Sequence, residues 1–409
     1  MRILVAFGTR PEIIKPGPVC QALQRRKDID LSVFWSGQHI ELAAGLLQLF
    51  EIDVTRNGSD VMREPGLASK FGRMTQEIDE ELRSRRYEWL VVQGDTATAA
   101  AAATAGFLNH VKVAHVEAGL RTGRMYSPWP EEFNRRVVTL SSALHFAPTA
   151  NARDNLLKEG VPAAQVLTVG NTVVDALIHV RKKVSHGYRP IDPAVAALPS
   201  DKKLVLATLH RRENIGAPIR RVLMALRELG QDGDKLIVLP VHLNPDVRAE
   251  VLRILGDVTN VRLLEPLQYP DFVHLLSRAW AVVSDSGGVQ EEAPTFGLQV
   301  LITRDTTERP EVIDAGLGRL VGSDFDAIVE GVRRLTASDS PQLRFGNNPF
   351  GQGDASEQIA DALIASRIAN PFGRGDASEQ IADALIASRV ASKPALATSS
   401  PAPNCYRLT

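Results

Sequence analysis

Three acidic residues in the first part of the sequence could carry out proton transfer. Asp95 lies in QGDTAT, Glu117 lies in HVEAGLRT, and Glu131 opens EEFNRR. Carboxylates held close together suit this chemistry, because repulsion between like charges raises the pKa of one group while another stays ionised. Arg135, four residues after Glu131, is predicted to pair with it on a helix. As isolated residues, the acids would also be compatible with solvated strand ends and a helix start.

A second group of residues could bind phosphate. The small residues that follow the apolar run of AWAVVSDSGGVQEEAP are Ser286, Gly287 and Gly288. They let the backbone approach a ligand at the start of a helix, whose unpaired N–H groups suit an anion. Glu291 or Glu292 could then accept hydrogen bonds from ribose hydroxyls. An ordinary capped helix start would explain the same residues.

Basic side chains in three further motifs could bind the same anion. Arg10 and Lys15 lie in FGTRPEIIK, Arg309 lies in DTTERPE, and His210 lies in LHRREN. Arginine offers a forked donor that fits phosphate, and histidine adds charge when protonated or moves a proton when neutral. FGTRPEIIK has neither the three glycines of a dinucleotide fingerprint nor the ending of a P-loop. Taken singly, each motif is also compatible with an ordinary loop and helix start.

Ten apolar runs alternate with segments of helical periodicity and would position these residues. The runs are RILVAF, LSVFW, WLVVQ, VKVAHV and LHFAPT in the first part, and KLVLATL, LIVLPV, RLLEPL, WAVVSD and QVLITR in the second. Continuous apolar runs separated by helices are typical of parallel sheets covered on both faces. Two such series predict two doubly wound α/β domains. Because ligands bind at the carboxyl ends of parallel strands, two facing edges would form one interdomain cleft.

Composition changes along the chain suggest the boundaries. The alternation is interrupted near Gly170, so the domains are placed at residues 1–170 and 171–365. Residues 392–409 are rich in proline, serine and alanine, and we expect them to be disordered.

One segment near the end is duplicated. Residues 348–369 recur at 370–391 with changes only at Gln352/Arg374 and Ile368/Val390. Each copy has an aspartate followed three residues later by glutamate, which predicts a helix start. We expect one copy to dock as a terminal helix and the other to be surplus, and we assign residues 366–391 to this duplicated helical segment.

Overall composition excludes several classes of function. The net charge is −1, from 47 basic and 48 acidic residues, so no net field favours nucleic acid or an anionic membrane. No apolar run approaches the roughly 18 residues of a membrane span. Cys20 and Cys405 lie far apart without metal-ligand spacing, which argues against a metal site and a disulfide framework. We expect a cytoplasmic protein without bound metal.

The motifs resemble, in order, those of the non-hydrolysing UDP-N-acetylglucosamine 2-epimerase family over residues 1 to about 365. They are FGTRPEIIK, QGDTAT, HVEAGLRT, PEEFNRR, HRREN, SDSGGVQEEAP and RDTTERPE. The resemblance implies a glycosyltransferase-B-like fold of two Rossmann-like domains, the second binding UDP, with the terminal helix returning to the first. It also implies interconversion of UDP-GlcNAc and UDP-ManNAc without a cofactor. UDP would be eliminated to leave 2-acetamidoglucal and added back after protonation at the other face of C2.

The resemblance also implies roles for individual residues. Those matching the family's catalytic positions are Asp95, Glu117, Glu131 and His210. Those matching its substrate-binding positions are Arg10, Lys15, Arg135, Ser286, Gly287, Gly288, Glu292 and Arg309. Glu292 would hold the ribose. Which carboxylate takes the C2 proton stays open.

A pocket for an activating second UDP-GlcNAc is implied by further matches. The matching residues are Gln38, His39, Arg211 and His242. Ile40, Leu42 and Leu243 depart from the family's usual pattern and remove polar donors, so activation and the precise sugar stay open. A homodimer is expected by resemblance.

Four other functions remain open from the sequence. A related epimerase could act on a modified UDP-sugar such as a UDP-diacetamido uronic acid, and a hydrolysing relative would release free ManNAc. A glycosyltransferase of the glycosyltransferase-B type could use the same scaffold, since fold alone does not decide function. A nucleotide-sugar sensor would leave the clustered carboxylates without an evident use.

Overall fold

Two parallel β-sheets flanked by helices form the framework of the molecule. The computed structural model describes residues 1–37, 40–58, 61, 63–184, 187–210, 216–337 and 348–368. Residues 1–360 pack as one compact unit that contains both sheets. In the described ranges, none of the helices combines the length and apolar character needed to cross a membrane.

The first sheet places the loops that carry Asp95 and Glu117. Its strands are β1 (Arg2–Phe7), β2 (Asp30–Trp35), β3 (Arg56–Asn57), β4 (Trp89–Gln93), β5 (Lys112–Val116), β6 (Leu144–Ala147) and β7 (Val166–Thr168). They lie in the order β3, β2, β1, β4, β5, β6, β7, and every pair is parallel. The strand order reverses between β1 and β4, and in such a sheet the crevice at the reversal is where ligands bind.

Helices cover this sheet and follow its strands. They are α1 (Arg10–Ile14), α2 (Pro16–Gln24), α3 (Ile40–Leu49), α4 (Gly66–Ser84), α5 (Ala97–Leu108), α6 (Glu131–Ser141), α7 (Ala150–Lys158) and α8 (Thr172–Val184). Helix α5 is rich in buried alanines, and Gly106 on it has no room for a Cβ, which would lie 2.8 Å from Leu90 and Val113. Small side chains thus bring α5 close to the sheet, and the loop carrying Asp95 enters this helix.

The second sheet has the same design. Its strands are β8 (Lys203–Thr208), β9 (Lys235–Pro240), β10 (Val261–Leu264), β11 (Ala279–Ser284), β12 (Val300–Ile302) and β13 (Gly318–Leu320). The helices in this part are α9 (Pro193–Ala196), α10 (Ala217–Leu229), α11 (Pro245–Leu255), α12 (Tyr269–Arg278), α13 (Gly287–Glu292), α14 (Pro310–Asp314), α15 (Phe325–Thr336) and α16 (Ala355–Ile368). The strand order is β10, β9, β8, β11, β12, β13, so the order reverses between β8 and β11.

The ten apolar runs predicted as strands are all strands, and the doubly wound α/β prediction is confirmed. Three strands were missed, namely β3, β7 and β13, which have only two or three residues each. Such short strands carry too few apolar positions for a period to be recognised. The predicted boundary near residue 170 falls between the two sheets and stays a prediction.

The first copy of the duplicated segment includes α16 and contacts α8 and the residue before it. The backbone N–H of Asn171 donates to the carbonyl of Phe350 (2.7 Å), and that of Ser356 donates to Oδ1 of Asp175 (2.8 Å). Helix α16 begins directly after Asp354, as predicted. The second copy and the tail beyond it lie outside the described residues.

Candidate active site

A cavity of about 170 Å³ opens at the reversal point of the first sheet. Loops after β1, β4 and β5 line it, and Arg309 reaches it from the second sheet. Its ionisable lining residues are Glu12, Lys15, Asp95, Glu117, Arg135 and Arg309. Five of these six are residues predicted from the sequence to take part in chemistry, and the sixth, Glu12, lies in one of the same motifs. The structure therefore brings acids and bases from separate loops into one small space.

Asp95 follows β4 and points to Arg135. Its Oδ2 accepts from Nε (2.9 Å) and lies 2.7 Å from Nη2 of Arg135, a two-point contact. The Asp95 carbonyl accepts from Nδ2 of Asn134 (2.8 Å). Helix α6 thus holds both the backbone and the carboxylate of Asp95, which remains partly exposed to the cavity.

Glu117 follows β5 directly and is buried. Its backbone has φ of 65°, in the left-handed region that non-glycine residues seldom adopt. The carboxylate accepts from Nζ of Lys15 (2.5 Å) and from the side-chain amide of Gln93. Burial raises the pKa of Glu117, Lys15 opposes that rise, and the charge of Glu291 adds to it. An acid with a raised pKa suits proton exchange near neutral pH.

Lys15 links the two sheets through carboxylates. Its Nζ lies 2.9 Å from Oε2 of Glu291 on α13, in addition to its contact with Glu117. Burial alone would lower the pKa of Lys15, but the two carboxylates raise it above its ordinary value. Burial would raise the pKa of Glu291, but Arg309 and Lys15 hold it below its ordinary range. These groups therefore stay charged.

The glycine-rich turn after β11 begins α13. Ser286 is the N-cap, and its side chain accepts from the N–H of Val289 (3.4 Å). Gly287 lies against Arg309, since a Cβ on Gly287 would be 2.7 Å from Nη1 of that arginine. Nε of Arg309 donates to Oε1 of Glu291 (2.6 Å). Glycine is thus required at position 287 for the guanidinium to lie over the helix start.

His210, two residues after β8, is held by Asp285. The buried carboxylate of Asp285 accepts from the backbone N–H of His210 (3.1 Å) and lies 3.1 Å from its Nδ1. The ring of His242 lies 6.1 Å from that of His210. Burial lowers the pKa of His242, and the neighbouring His210 lowers it further. The loops after the neighbouring strands β8 and β9 therefore present a pair of imidazoles at the carboxyl edge of the second sheet.

The predicted ion pair between Glu131 and Arg135 is wrong. Nη1 of Arg135 donates to Oε2 of Glu132 (3.1 Å), three residues earlier, and its other contacts go to Asp95. Glu132 is fully buried and also accepts from the N–H of Thr122 (3.1 Å). The sequence does not show which of these two adjacent glutamates faces inward, because that depends on the rotation of the helix about its axis.

Glu131 itself does not line the cavity. Its Oε2 is buried, and within the described part of the chain it has no hydrogen-bond partner. A buried carboxylate oxygen without a partner is unusual in a folded protein. Its predicted catalytic role stays a prediction.

Glu12 is a site residue that the sequence analysis missed. It lies in FGTRPEIIK three residues after Thr9, which is the spacing of a capping box and could have drawn attention to it. The side chain is buried and lines the cavity. Burial raises the pKa of Glu12 to about 7, against hydrogen bonds from Thr96 and Thr9.

Several predicted residues lie outside the described part of the chain. Gln38, His39 and Arg211 lie outside the described residues, as do the side chains of Arg10, Ile40 and Leu42. Of the remaining substrate-binding candidates, Gly288 lies in the first turn of α13 and Glu292 is buried at its end. Leu243 is exposed beside His242. Among the described residues, no cluster of histidine, cysteine and acidic side chains has the makings of a metal site.

Comparison with known proteins gives a consistent result. Residues 21–364 match the family model of UDP-N-acetylglucosamine 2-epimerase. The chain is 41% identical over 375 residues to the UDP-N-acetylglucosamine 2-epimerase of Escherichia coli K12, covering 90% of this chain and 100% of that relative.

Two solved structures extend the comparison. The crystal structure of the Neisseria meningitidis UDP-GlcNAc 2-epimerase bound to UDP-GlcNAc has a TM-score of 0.81 at 39% identity, covering 89% of this chain and 100% of that one. The Methanocaldococcus jannaschii UDP-GlcNAc 2-epimerase in complex with UDP-GlcNAc and UDP has a TM-score of 0.75 at 30% identity, covering 89% and 99%. The glycosyltransferase-B-like fold predicted from the sequence is confirmed.

Proposed function

The chain belongs to the UDP-N-acetylglucosamine 2-epimerase family, and from that premise we propose how its residues divide the reaction. It is an isomerase that interconverts UDP-GlcNAc and UDP-ManNAc. The C2 hydrogen of the sugar is a very weak acid. Its removal therefore needs an oriented base, an acid for the opposite face, and stabilisation of the departing diphosphate.

Asp95 and Glu117 are the proposed acid and base. The observation that carries this assignment is that both carboxylates line one cavity together with Lys15, Arg135 and Arg309. Glu117 has a raised pKa and Asp95 is paired with a guanidinium, so the two carboxylates differ in environment. Two acids in different environments can take the roles of proton donor and proton acceptor.

The departing UDP is proposed to be held from the second sheet. The start of α13, at Gly287 and Gly288 after the N-cap Ser286, offers backbone N–H groups beside Arg309. Such a helix start with an adjacent arginine is suited to a diphosphate. His210, oriented by Asp285, is proposed to assist at the diphosphate, and Glu292 to hold the ribose.

Exchange with solvent tests the removal of the C2 proton, the step that the proposed acid and base carry out. In deuterated water the pure protein should turn over UDP-GlcNAc, and deuterium should appear at C2 of both UDP-GlcNAc and UDP-ManNAc. Epimerisation without deuterium at C2 would contradict proton removal by the enzyme. Release of free ManNAc and UDP would instead indicate hydrolysis, and both are measured in the same NMR spectrum.

A second nucleotide-sugar site is also proposed. The observation that favours it is the placement of His242 beside His210, which is proposed to assist at the diphosphate. The M. jannaschii relative binds UDP-GlcNAc together with UDP. If UDP-GlcNAc activates this enzyme, the rate of UDP-ManNAc consumption should rise when UDP-GlcNAc is added, and His242→Ala should abolish the rise. A rate unaffected by added UDP-GlcNAc would remove the activator site.

We propose a homodimer formed through α5 and α6. These two neighbouring helices and the loop before α6 expose large apolar side chains, an unusual density for a free surface. The exposed residues are Phe107, Leu108, Tyr126, Trp129, Phe133 and Leu140. Leu140→Glu should convert a dimer into a monomer in analytical ultracentrifugation, whereas Leu252→Glu, at an exposed leucine on α11, should not. Monomeric wild-type protein would contradict the dimer.

The buried free thiol of Cys20 is compatible with a cytoplasmic location, which stays a proposal.

A further inference from the structure

Glu12 connects two of the loops that line the cavity. Oε2 accepts from the backbone N–H groups of Gly8 (3.1 Å) and Thr9 (2.7 Å), in the loop after β1. Oε1 accepts from the hydroxyl of Thr96 (2.5 Å), in the loop after β4. The side chain is 1% exposed, so these three donors replace water around the carboxylate.

The contact with Thr96 exceeds what helix capping requires. A glutamate three residues after a threonine N-cap normally reaches back to the backbone N–H of that threonine, and one oxygen is enough for this bond. Here the second oxygen binds a residue 84 positions away in sequence. Thr96 directly follows Asp95, so the contact fixes the backbone on the far side of that residue.

Besides the backbone bond from the N–H of Gly94 to the Val116 carbonyl (2.9 Å), three side-chain contacts hold the segment around Asp95. The Gly94 carbonyl accepts from Nε2 of His115 (2.8 Å), and the Asp95 carbonyl accepts from Nδ2 of Asn134 (2.8 Å). The third contact is the one from Thr96 to Glu12. Of these contacts, only the third ties the loop to the end of β1, across the reversal point where the crevice lies.

We infer that Glu12 is a positioning residue for catalysis. Through Thr96 it holds Asp95 at the position from which the Asp95 carboxylate can exchange a proton with the sugar. The inference rests on the proposed function of Asp95. Proton transfer requires the two atoms to approach within hydrogen-bond distance, and an error of about 1 Å costs on the order of 100-fold in rate. Burying a carboxylate is unfavourable. If Glu12 only capped α1, an exposed capping residue would serve as well without this cost.

The test uses Thr96→Val and Glu12→Met, which remove the bond between these two side chains from either end. Each should lower kcat about 10- to 100-fold, by the positioning argument, while KM and UDP affinity stay within about twofold. The double variant should lose no more than the worse single variant, because the two changes remove one interaction. Thr96→Ser keeps the hydroxyl and should retain the wild-type kcat.

Thr149→Val is the matched control for loss of a helix cap. Thr149 is the N-cap of α7 and accepts from the N–H of Ala152 (3.2 Å), as Thr96 accepts from that of Ala99 (3.1 Å) on α5. Thr149→Val should keep the wild-type kcat. A loss in Thr149→Val equal to that in Thr96→Val would assign the effect to capping and overturn the inference, as would a wild-type kcat in either test variant.

The inference and the proposed function fail in different ways. If the wild-type protein does not epimerise UDP-GlcNAc, the proposed function is wrong and the inference falls with it. If the wild type is active, Asp95→Asn is inactive and Glu12→Met is fully active, only the role of Glu12 is overturned. Should Glu12→Met fail to fold, Thr96→Val decides alone.

Discussion

Lys15 and Glu291 form an ion pair of 2.9 Å that connects the loop region of the first sheet to helix α13 of the second part. Both side chains are almost fully buried. A buried pair of this kind contributes little net stability compared with an apolar pair, but removal of one partner leaves an uncompensated charge. The main effect of the pair is to fix the positions of the Lys15 and Glu291 charges relative to each other.

Lys15→Met should destabilise the protein by about 3–5 kcal/mol, because Glu117 and Glu291 lose their shared cation. It should also weaken UDP binding. Urea unfolding and calorimetric titration with UDP measure the two effects. Lys235→Met is the control, since Lys235 is also buried and paired with Asp232 (3.0 Å) but lies away from the cavity. It should leave UDP affinity unchanged. Wild-type UDP affinity in Lys15→Met would contradict a role in binding.

Asp95→Asn should lower deuterium incorporation at C2 by about 100-fold or more, because the amide cannot accept the proton. UDP affinity should change little, since Asp95 contacts Arg135 and not the start of α13. Asp324→Asn is the control. Asp324 caps α15 (2.8 Å to the N–H of Ala327), and asparagine caps a helix equally well. Exchange at the wild-type rate in Asp95→Asn would remove Asp95 from proton transfer.

Asp175 should make stability depend on pH. Burial raises the pKa of Asp175 to about 6 in the folded protein, against a hydrogen bond from Ser356. A raised pKa means that the folded state holds the proton more tightly, so the associated stability is complete below about pH 4 and lost as pH rises through about 6. The loss should be about 3 kcal/mol. Asp175→Asn should lack it, so the free energies of unfolding of wild type and variant should diverge between pH 4 and 7. Parallel pH curves would contradict the shift.

Deletion of residues 370–391 should leave stability and turnover unchanged, since the first copy supplies the packed segment. In that shortened chain Gly353→Val should cost about 2 kcal/mol or more, because Gly353 has φ of 84° and a Cβ would lie 2.2 Å from Cδ1 of Ile178. Gly233→Val, at a position with free space around it, should be tolerated. Thermal unfolding measures the stability of the deletion and of the two glycine variants, and the epimerase assay measures the turnover of the deletion. A strongly destabilised deletion would show that the second copy is required.

The framework of the molecule could be predicted because apolar runs of five to seven residues between helical segments leave few alternatives. The same reasoning located Asp95 and Glu117, since residues that follow parallel strands meet at one edge. The seven ordered motifs added the family. These features depend on local sequence and on general rules of topology.

Side-chain partners could not be predicted in the same way. Arg135 was expected to contact Glu131, but the phase of α6 turns it toward Glu132 and Asp95. Glu291 was considered for the ribose, but it is bonded to Lys15 and Arg309 from other parts of the chain. Such contacts depend on how elements distant in sequence pack, which periodicity does not encode.

At Glu117 the left-handed backbone conformation is unfavourable for stability, whereas the side chain is the one proposed to transfer the proton. Glycine would adopt that conformation without penalty, whereas a residue with a side chain is strained there by on the order of 1–3 kcal/mol. Only glycine at position 117 would relieve this strain, because even alanine carries the Cβ that causes it. Such a variant would lose both the acid and the buried ion pair with Lys15, so the strained backbone is the cost of placing a charged side chain there.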